Sequence, residues 1–182
     1  GERPTTENQI AEIDASNSSD IDISNDAKNV TMNFDVAPIT DEETPIIINQ
    51  NKEKASGEAS SVLNINMPAG ATNLYAEINT PTTTTTLKGG TYKKVIATTA
   101  TNTLIVEAGT SIEELIVKDG NVVIKEGATV SKQLRVLTFE DADAKFTPYS
   151  LTYANKTINK WSDLVDDAQY DGSFTYDYVA FS

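Results

Sequence analysis

The feature that most constrains this chain is a series of very short apolar runs, separated by turn residues, between positions 61 and 138. Most of these runs hold about three residues, whereas hairpin strands usually hold about five or six. A helix is excluded here, because no stretch keeps the helical apolar period and Gly, Thr and Asn recur throughout. The runs are Leu63–Ile65, Leu74–Ile78, Thr85–Leu87, Val95–Ala97, Leu104–Val106, Leu115–Val117, Val122–Ile124 and Leu134–Val136.

The spacing of the runs repeats along the chain. Leu104 lies 18 residues before Val122, and Leu115 lies 19 residues before Leu134. One step earlier, Thr85 precedes Leu104 by 19 residues. A coil of about 18 to 22 residues with two or more short strands is typical of a parallel β-solenoid. We therefore predict a mainly all-β fold, a short parallel β-helix of about four coils, with an antiparallel meander as the alternative.

Side chains in each run should alternate between the core and solvent. Leu104 and Val106 are predicted to face inward, and Ile105 between them outward. The threonine run Thr82–Thr86 is predicted to lie on an outward face, because β-branched residues suit a strand ladder, although a low-complexity linker is its alternative. The other residues predicted to face inward are Leu115, Val117, Val122 and Ile124.

Changes in composition divide the chain into four segments. The first is polar with only scattered isoleucines, a composition that favours disorder, although Ile21 and Ile23 could add one edge strand. The predicted segments are a polar flexible leader over 1–28, N-terminal β-strands over 29–60, the parallel β-helix over 61–138 and a small C-terminal α+β cap, a helix plus a strand, over 139–182.

The second segment carries two strand signals. Apolar and polar residues alternate from Val30 to Val36, as in a strand with one buried face, and Pro38 should end that strand. The continuous apolar run Ile46–Ile48 predicts a short buried strand.

The segment after residue 138 holds most of the aromatic residues of the chain. Its apolar spacing predicts a helix beginning near Thr157 and a strand around Tyr176. Because a solenoid end exposes its core and unpaired strand edges, we expect this segment to cap the solenoid. The alternative is a platform for sugar rings, formed by Trp161, Tyr170, Phe174, Tyr176 and Tyr178.

Charge and composition narrow the classes of partner and chemistry. The net charge is −13, and such a surface repels nucleic acid and anionic lipid. The chain has no Cys and no His, which excludes disulfides, thiol catalysis, Cys-based zinc sites and a histidine general base. It also contains no run of 18 apolar residues, so no transmembrane segment is predicted.

No group of residues predicts catalysis. Glu113 and Glu114 are adjacent, so a strand would direct them to opposite faces, and a solvated turn is the better interpretation. The nearest bases are Lys93, Lys94 and Lys118, and nothing in the sequence places them opposite an acid. We therefore predict no enzymatic activity and assign no catalytic residue.

Calcium is the one cofactor that the sequence leaves open. Asp14, Ser16, Ser18 and Asp20 alternate like the start of a calcium loop, and a second acidic cluster spans 166–172. Neither supplies a full ligand set, since the first lacks both the turn glycine and the closing glutamate. We interpret both as solvated acidic surface and predict no cofactor or metal site.

Four stretches carry a family resemblance: Leu63–Thr72, Thr83–Tyr92, Ala97–Gly109 and Gly120–Ile124. They resemble the short right-handed β-helix segments of surface-exposed or secreted proteins of gut Bacteroidetes. Many of those are lipoproteins of unknown function, with a polar spacer after the lipidated cysteine, and the leader is similar to such a spacer. The resemblance implies a fold and an extracellular or outer-membrane location, with any lipid anchor outside these 182 residues. It implies no activity.

The sequence therefore predicts a noncatalytic cell-surface or secreted bacterial domain for adhesion, scaffolding or assembly. Its expected partners are glycans or surface proteins. A glycan-binding module is the alternative, and a divergent polysaccharide lyase is the second alternative.

Overall fold

The computed structural model is an all-β solenoid of parallel strands stacked on one another. It describes residues 10–14, 20–23, 29–50, 61–81, 83–136, 151–153, 155–158 and 175–177. Every regular element within these ranges is a β-strand, which confirms the predicted parallel all-β class. The strands are β1 (Ile10–Asp14), β2 (Asp20–Ile23), β3 (Asn29–Asn33), β4 (Ile46–Gln50), β5 (Ser61–Asn66), β6 (Leu74–Asn79), β7 (Thr83–Lys88), β8 (Thr91–Val106), β9 (Ser111–Ile124), β10 (Thr129–Val136), β11 (Leu151–Tyr153), β12 (Lys156–Ile158) and β13 (Thr175–Asp177).

The strands pair into two parallel ladders, and successive strands along the chain alternate between them. The first ladder stacks β1, β3, β5, β7, the second half of β8, the second half of β9 and β11. The second ladder stacks β2, β4, β6, the first half of β8, the first half of β9, β10 and β13. β12 lies outside both ladders and pairs with β11 in antiparallel fashion.

The pairing registers confirm the repeat predicted from the sequence. Leu104 pairs with Val122, and Leu115 pairs with Leu134. Thr85 pairs with Leu104. The 18- and 19-residue spacings are therefore coil lengths. The antiparallel alternative is wrong, because all these neighbours run parallel.

The inward side chains of both ladders form one hydrophobic core. Leu104 and Val106 are fully buried, whereas Ile105 between them is only half-buried, which confirms the predicted facing. Apolar burial contributes about 25 cal/mol per Å², so the stacked columns of Leu, Ile and Val are the main source of stability. The other residues predicted to face inward are also buried: Leu115, Val117, Val122 and Ile124.

The turn between β7 and β8 requires glycine. Gly89 has a φ of +86°, in the left-handed region that residues with a Cβ rarely adopt. A Cβ at this position would also overlap the carbonyl oxygen of Met67 in the neighbouring coil. Even alanine would therefore push the two coils apart.

The threonine run differs from the prediction that it lies on an outward face. Thr83 and Thr85 face inward and are fully buried, while the threonine after each of them faces outward. The reason is strand alternation, which sends successive side chains to opposite faces. The buried hydroxyls have partners, because Thr83 Oγ1 donates to Gln50 Oε1 at 3.1 Å and Thr85 Oγ1 lies 2.8 Å from Thr80 Oγ1.

The strand predicted from Val30 to Val36 is shorter than expected. The apolar residues through Phe34 are buried, but Val36 is 57% exposed, so its predicted burial is wrong. β3 ends at Asn33, and the chain then leaves the ladder through a series of bends. The run Ile46–Ile48 forms the start of β4 as predicted.

Both ladders continue outside the segment 61–138. β1 and β2 come from 1–28, and β3 and β4 come from 29–60. At the other end, β11 and β13 from 139–182 stack on β9 and β10. The helix predicted from near Thr157 falls mainly on residues outside the described ranges, and Thr157 itself lies in β12.

A candidate ligand-binding groove on the first ladder

The outward side chains of the first ladder form a polar surface, called here the first-ladder face. Strand alternation brings these side chains outward, and parallel pairing stacks them in columns along the solenoid axis. One column holds Asn33, Asn66, Lys88, Glu107 and Lys125. The neighbouring column holds Thr31, Asn64, Thr86, Ile105 and Val123.

Hydrogen bonds between coils fix the amide groups of this face. Asn66 Nδ2 donates to Asn33 Oδ1 at 2.9 Å. In the next column, Asn64 Nδ2 donates to Thr31 Oγ1 at 3.5 Å. An amide offers two N–H donors and a carbonyl acceptor, so each of these asparagines keeps further capacity for a ligand. The face therefore presents oriented donors and acceptors before any ligand arrives.

Charges of both signs follow the asparagines along the same column. Lys125 Nζ lies 3.2 Å from Glu107 Oε2, and both side chains are partly exposed. Lys88 is exposed one coil before Glu107, and no other residue in the described ranges forms an ion pair with its ammonium group. The column thus passes from neutral amides to a free cation and then to an ion pair.

A groove runs along this face, called here the first-ladder groove. It has a volume of about 550 Å³ and is lined by hydroxyl, amide and charged groups from successive coils. A second depression of about 410 Å³ shares Asn66, Lys88 and Ala108 with it and continues over the turn at Gly89. The residues lining the first-ladder groove are Thr31, Asn64, Asn66, Thr86, Lys88, Glu107 and Ala108.

A smaller depression of about 200 Å³ lies on the second ladder. The segment between β3 and β4 forms one wall and is anchored by Thr40, whose hydroxyl donates to Asn73 O at 3.0 Å and accepts from the Tyr75 amide at 3.0 Å. The lining is strongly acidic and comprises Glu42, Glu43, Pro45, Tyr75, Ala76, Glu77, Lys94 and Ile96.

Ion pairs on the second ladder correct one expectation from the sequence. Lys93 Nζ lies 3.4 Å from Glu113 Oε1, and Lys94 Nζ lies 3.2 Å from Glu42 Oε1, so both lysines do stand opposite an acid. The first pair results from coil stacking, which brings residues about 20 positions apart side by side. Glu113 and Glu114 are both half-buried within β9, so the predicted turn at this position is wrong.

Asp41 orders the segment between β3 and β4 locally. Its Oδ1 accepts hydrogen bonds from the amides of Glu43 at 2.9 Å and Thr44 at 2.8 Å. Hydrogen bonds from Thr44, first from its side chain and then from its backbone, hold the pKa of Asp41 below its usual value. The ionised carboxylate therefore favours this turn.

Tyr92 places a polar atom inside the core. The side chain is 1% exposed, and its hydroxyl finds no hydrogen-bond partner among the described residues. Burial raises the pKa of the Tyr92 hydroxyl far above its usual value, because the charged form would lose its hydration. An unsatisfied buried hydroxyl costs about 1 to 3 kcal/mol.

Most of the aromatic platform proposed from the sequence falls outside the described residues. Of Trp161, Tyr170, Phe174, Tyr176 and Tyr178, only Tyr176 is described, through its backbone in β13, where it pairs with Leu134. The structure therefore does not bring these five side chains together or separate them.

The two acidic runs weighed as calcium loops also fall largely outside the described ranges. Asp14 ends β1 and Asp20 begins β2, while Ser16, Ser18 and the cluster over 166–172 are not described. In the part of the chain that is described, no group of three or more acidic residues is arranged to hold a metal ion.

Reasoning from the sequence missed the groove residues Asn64, Asn66 and Lys88. The signal was present, because each lies at an outward position next to an inward apolar residue of a repeating run. Only the stacking register shows that they share a face, since Asn66 pairs with Lys88 across a 22-residue coil.

Comparison with known proteins adds no name to this geometry. No family model, curated protein or solved structure matches the chain. Among the described residues, no helix is long and apolar enough to cross a membrane.

Proposed function

We propose that this chain is a noncatalytic bacterial surface or secreted domain that acts in adhesion, scaffolding or assembly. The observation that carries the proposal is the first-ladder face, which presents amides, hydroxyls and a free cation at fixed positions over successive coils. Such an array suits recognition by hydrogen bonding, because donors and acceptors fixed in advance lose little entropy on binding.

The proposed location is the extracellular space or the outer-membrane surface. The acidic, Cys-free composition and the resemblance to surface proteins of gut Bacteroidetes support it. A lipid anchor, where present, would belong to sequence beyond these 182 residues.

Retention on surfaces tests this proposal. The fluorescently labelled chain would be added to intact bacterial cells, to bacterial envelope fragments and to mucin-coated plates, and saturable retention is expected on at least one of them. A matched control is the Leu104→Asp variant, which we expect to be unfolded because it buries an unpaired charge in the core. Retention that does not saturate, or that the unfolded control reproduces, would contradict the proposal.

Glycan binding is the second candidate, and the first-ladder groove favours it. Its lining combines the side-chain types that hydrogen-bond sugar hydroxyls: Asn64 and Asn66 as amides, Thr31 and Thr86 as hydroxyls. Retention on mucin that is lost after enzymatic removal of the glycans would support this candidate over protein-mediated adhesion.

A further inference from the structure

We propose that the first-ladder groove binds an extended, uncharged polysaccharide whose chain lies along the solenoid axis. This inference rests on the proposed binding role and specifies its site and ligand class.

The geometry of the groove favours a long, repetitive ligand. Its lining comes from four successive levels of the ladder, represented by Thr31, Asn64, Thr86 and Glu107. Strands in a ladder lie about 4.8 Å apart, so three steps span about 14 Å. Hydrogen-bonding groups therefore recur at a constant interval along the groove, as do the hydroxyls of a polysaccharide.

The chemistry of the lining favours hydroxyl groups as the ligand's contacts. Asn66 Nδ2 is used by Asn33 Oδ1, and this bond leaves the second N–H and the carbonyl of the Asn66 amide oriented by the protein. Thr86 contributes a half-buried hydroxyl between the two asparagine-bearing positions and the ion pair. Sugar hydroxyls both donate and accept, so they can match either polarity at each level.

An extended peptide fits this groove less well. Peptides that bind sheets usually pair with an open strand edge or insert apolar side chains into pockets. Here the floor of the groove consists of strand side chains, and the backbone groups of β5 and β7 already pair with their neighbours in the ladder. The polar lining offers no large apolar side chain among its residues.

Charge favours an uncharged ligand. Lys88 and Glu107 line the same groove and their charges oppose each other. The whole chain carries a net charge of −13, so a polyanion would be repelled at long range. A polycation would meet Lys88 and the Glu107–Lys125 pair at 3.2 Å.

Affinity electrophoresis tests the inference. Native gels would contain xylan, mixed-linkage β-glucan or galactomannan as neutral probes, and polygalacturonate as an anionic probe. We expect the chain to be retarded by at least one neutral probe and not by polygalacturonate. Thr86→Trp should fill the groove and weaken that binding about tenfold or more, as for the loss of one or two good hydrogen bonds.

Two further variants keep the result interpretable. Ile96→Trp places the same bulk on the outward face of the second ladder in the same coil, and it should bind like the parent chain. Asn64→Ala removes an amide without adding bulk, so it should weaken binding even if Thr86→Trp fails to fold.

The outcomes separate this inference from the broader proposal. If no neutral probe retards the chain while retention on envelopes or mucin persists, the groove inference is overturned and the adhesion role stands. Equal binding by the parent, Thr86→Trp and Asn64→Ala would also overturn it, since the ligand would then sit elsewhere. Displacement of the polysaccharide by a peptide, or preference for polygalacturonate, would assign the groove to a different ligand class. Loss of both gel retardation and surface retention would contradict both proposals.

Discussion

The two ladders share one inner design and differ on their outer faces. Both bury columns of Leu, Ile and Val in the same core. Outside, the first ladder carries Thr and Asn joined by hydrogen bonds between coils. The second carries the column Ile47, Glu77, Ile96 and Ile116, beside ion pairs such as Lys93–Glu113. The comparison shows that inward alternation is enough to specify the solenoid, so the outward residues are free to specialise each face.

The largest expected effect tests the claim that the inner design holds the fold. Leu104→Asp should destabilise the chain by about 4 kcal/mol or more, because it buries an unpaired charge in a fully buried position. Ile105→Thr, one residue along on the outward face, should cost roughly 1 kcal/mol or less. Thermal or urea unfolding measures both.

The second ladder provides the matched control for that pair. Leu115→Asp should unfold the chain as strongly as Leu104→Asp, because both leucines are fully buried in the same core. A much smaller loss for Leu115→Asp would show that the ladders do not share one inner design.

The next effect concerns the one orphan hydroxyl among the described core residues. Tyr92→Phe should raise the free energy of unfolding by about 1 kcal/mol at neutral pH, because the buried hydroxyl finds no partner there. The raised pKa of Tyr92 has a second consequence. Unfolding frees the hydroxyl to ionise, so the stability present below about pH 10 should be lost as pH rises above that value.

Urea unfolding at pH 7 and at alkaline pH measures this effect, with Tyr75→Phe as the control on the partly exposed outer position of the second ladder. Tyr92→Phe should lessen the alkaline loss of stability, and Tyr75→Phe should not. A Tyr92→Phe variant less stable than the parent at pH 7 would mean that the hydroxyl is satisfied.

The difference between the outer faces should appear in salt dependence. Asn66→Ala should cost about 1 kcal/mol through its lost bond to Asn33, and neutral hydrogen bonds respond little to salt. Lys93→Ala should cost less than about 1 kcal/mol, and the cost should shrink further in high salt, because its ion pair with Glu113 is partly exposed. Unfolding at low and high sodium chloride compares them, and equal salt sensitivity would erase the distinction between the faces.

The smallest expected effect is local and depends on pH. The lowered pKa of Asp41 means that its stabilising hydrogen bonds are fully present above the ordinary carboxyl pKa of about 3.9 and are lost as pH falls below it. Amide hydrogen exchange at Glu43 and Thr44 should therefore speed up at acid pH beyond the trend of other turn amides. Asp41→Asn should show the faster exchange already at neutral pH.

The sequence was sufficient to predict the stacking of the central coils. The offsets that relate Thr85, Leu104 and Val122 are the pairing registers, because a solenoid repeats its hydrophobic columns at the coil length. The earlier coils were not predicted, since Val30 and Leu63 pair across 33 residues and the added segments hide the repeat. Inward threonines were missed for a different reason: β-branched polar residues fit either face, and only the partners Gln50 and Thr80 explain their burial.

The candidate site could be predicted only in its ingredients. Asn64, Asn66 and Thr86 are visibly outward once the run alternation is known. That they line one groove depends on the 22-residue coil between β5 and β7, a length that the repeat of 18 and 19 does not give. The attention given to the aromatic residues instead followed their composition, which carries no information about stacking.

The coil lengths also imply an order of assembly. Closing a longer loop before its ends can pair costs more entropy, and the 33-residue coil from Val30 to Leu63 costs roughly 0.5 kcal/mol more than the 18-residue coil from Leu104 to Val122. Because each coil touches only its neighbours, the first stable nucleus should form where coils are shortest, within β8 and β9, and growth should then spread outward one coil at a time. The N-terminal strands would be the last to join and, under a pulling force or mild denaturant, the first to peel away.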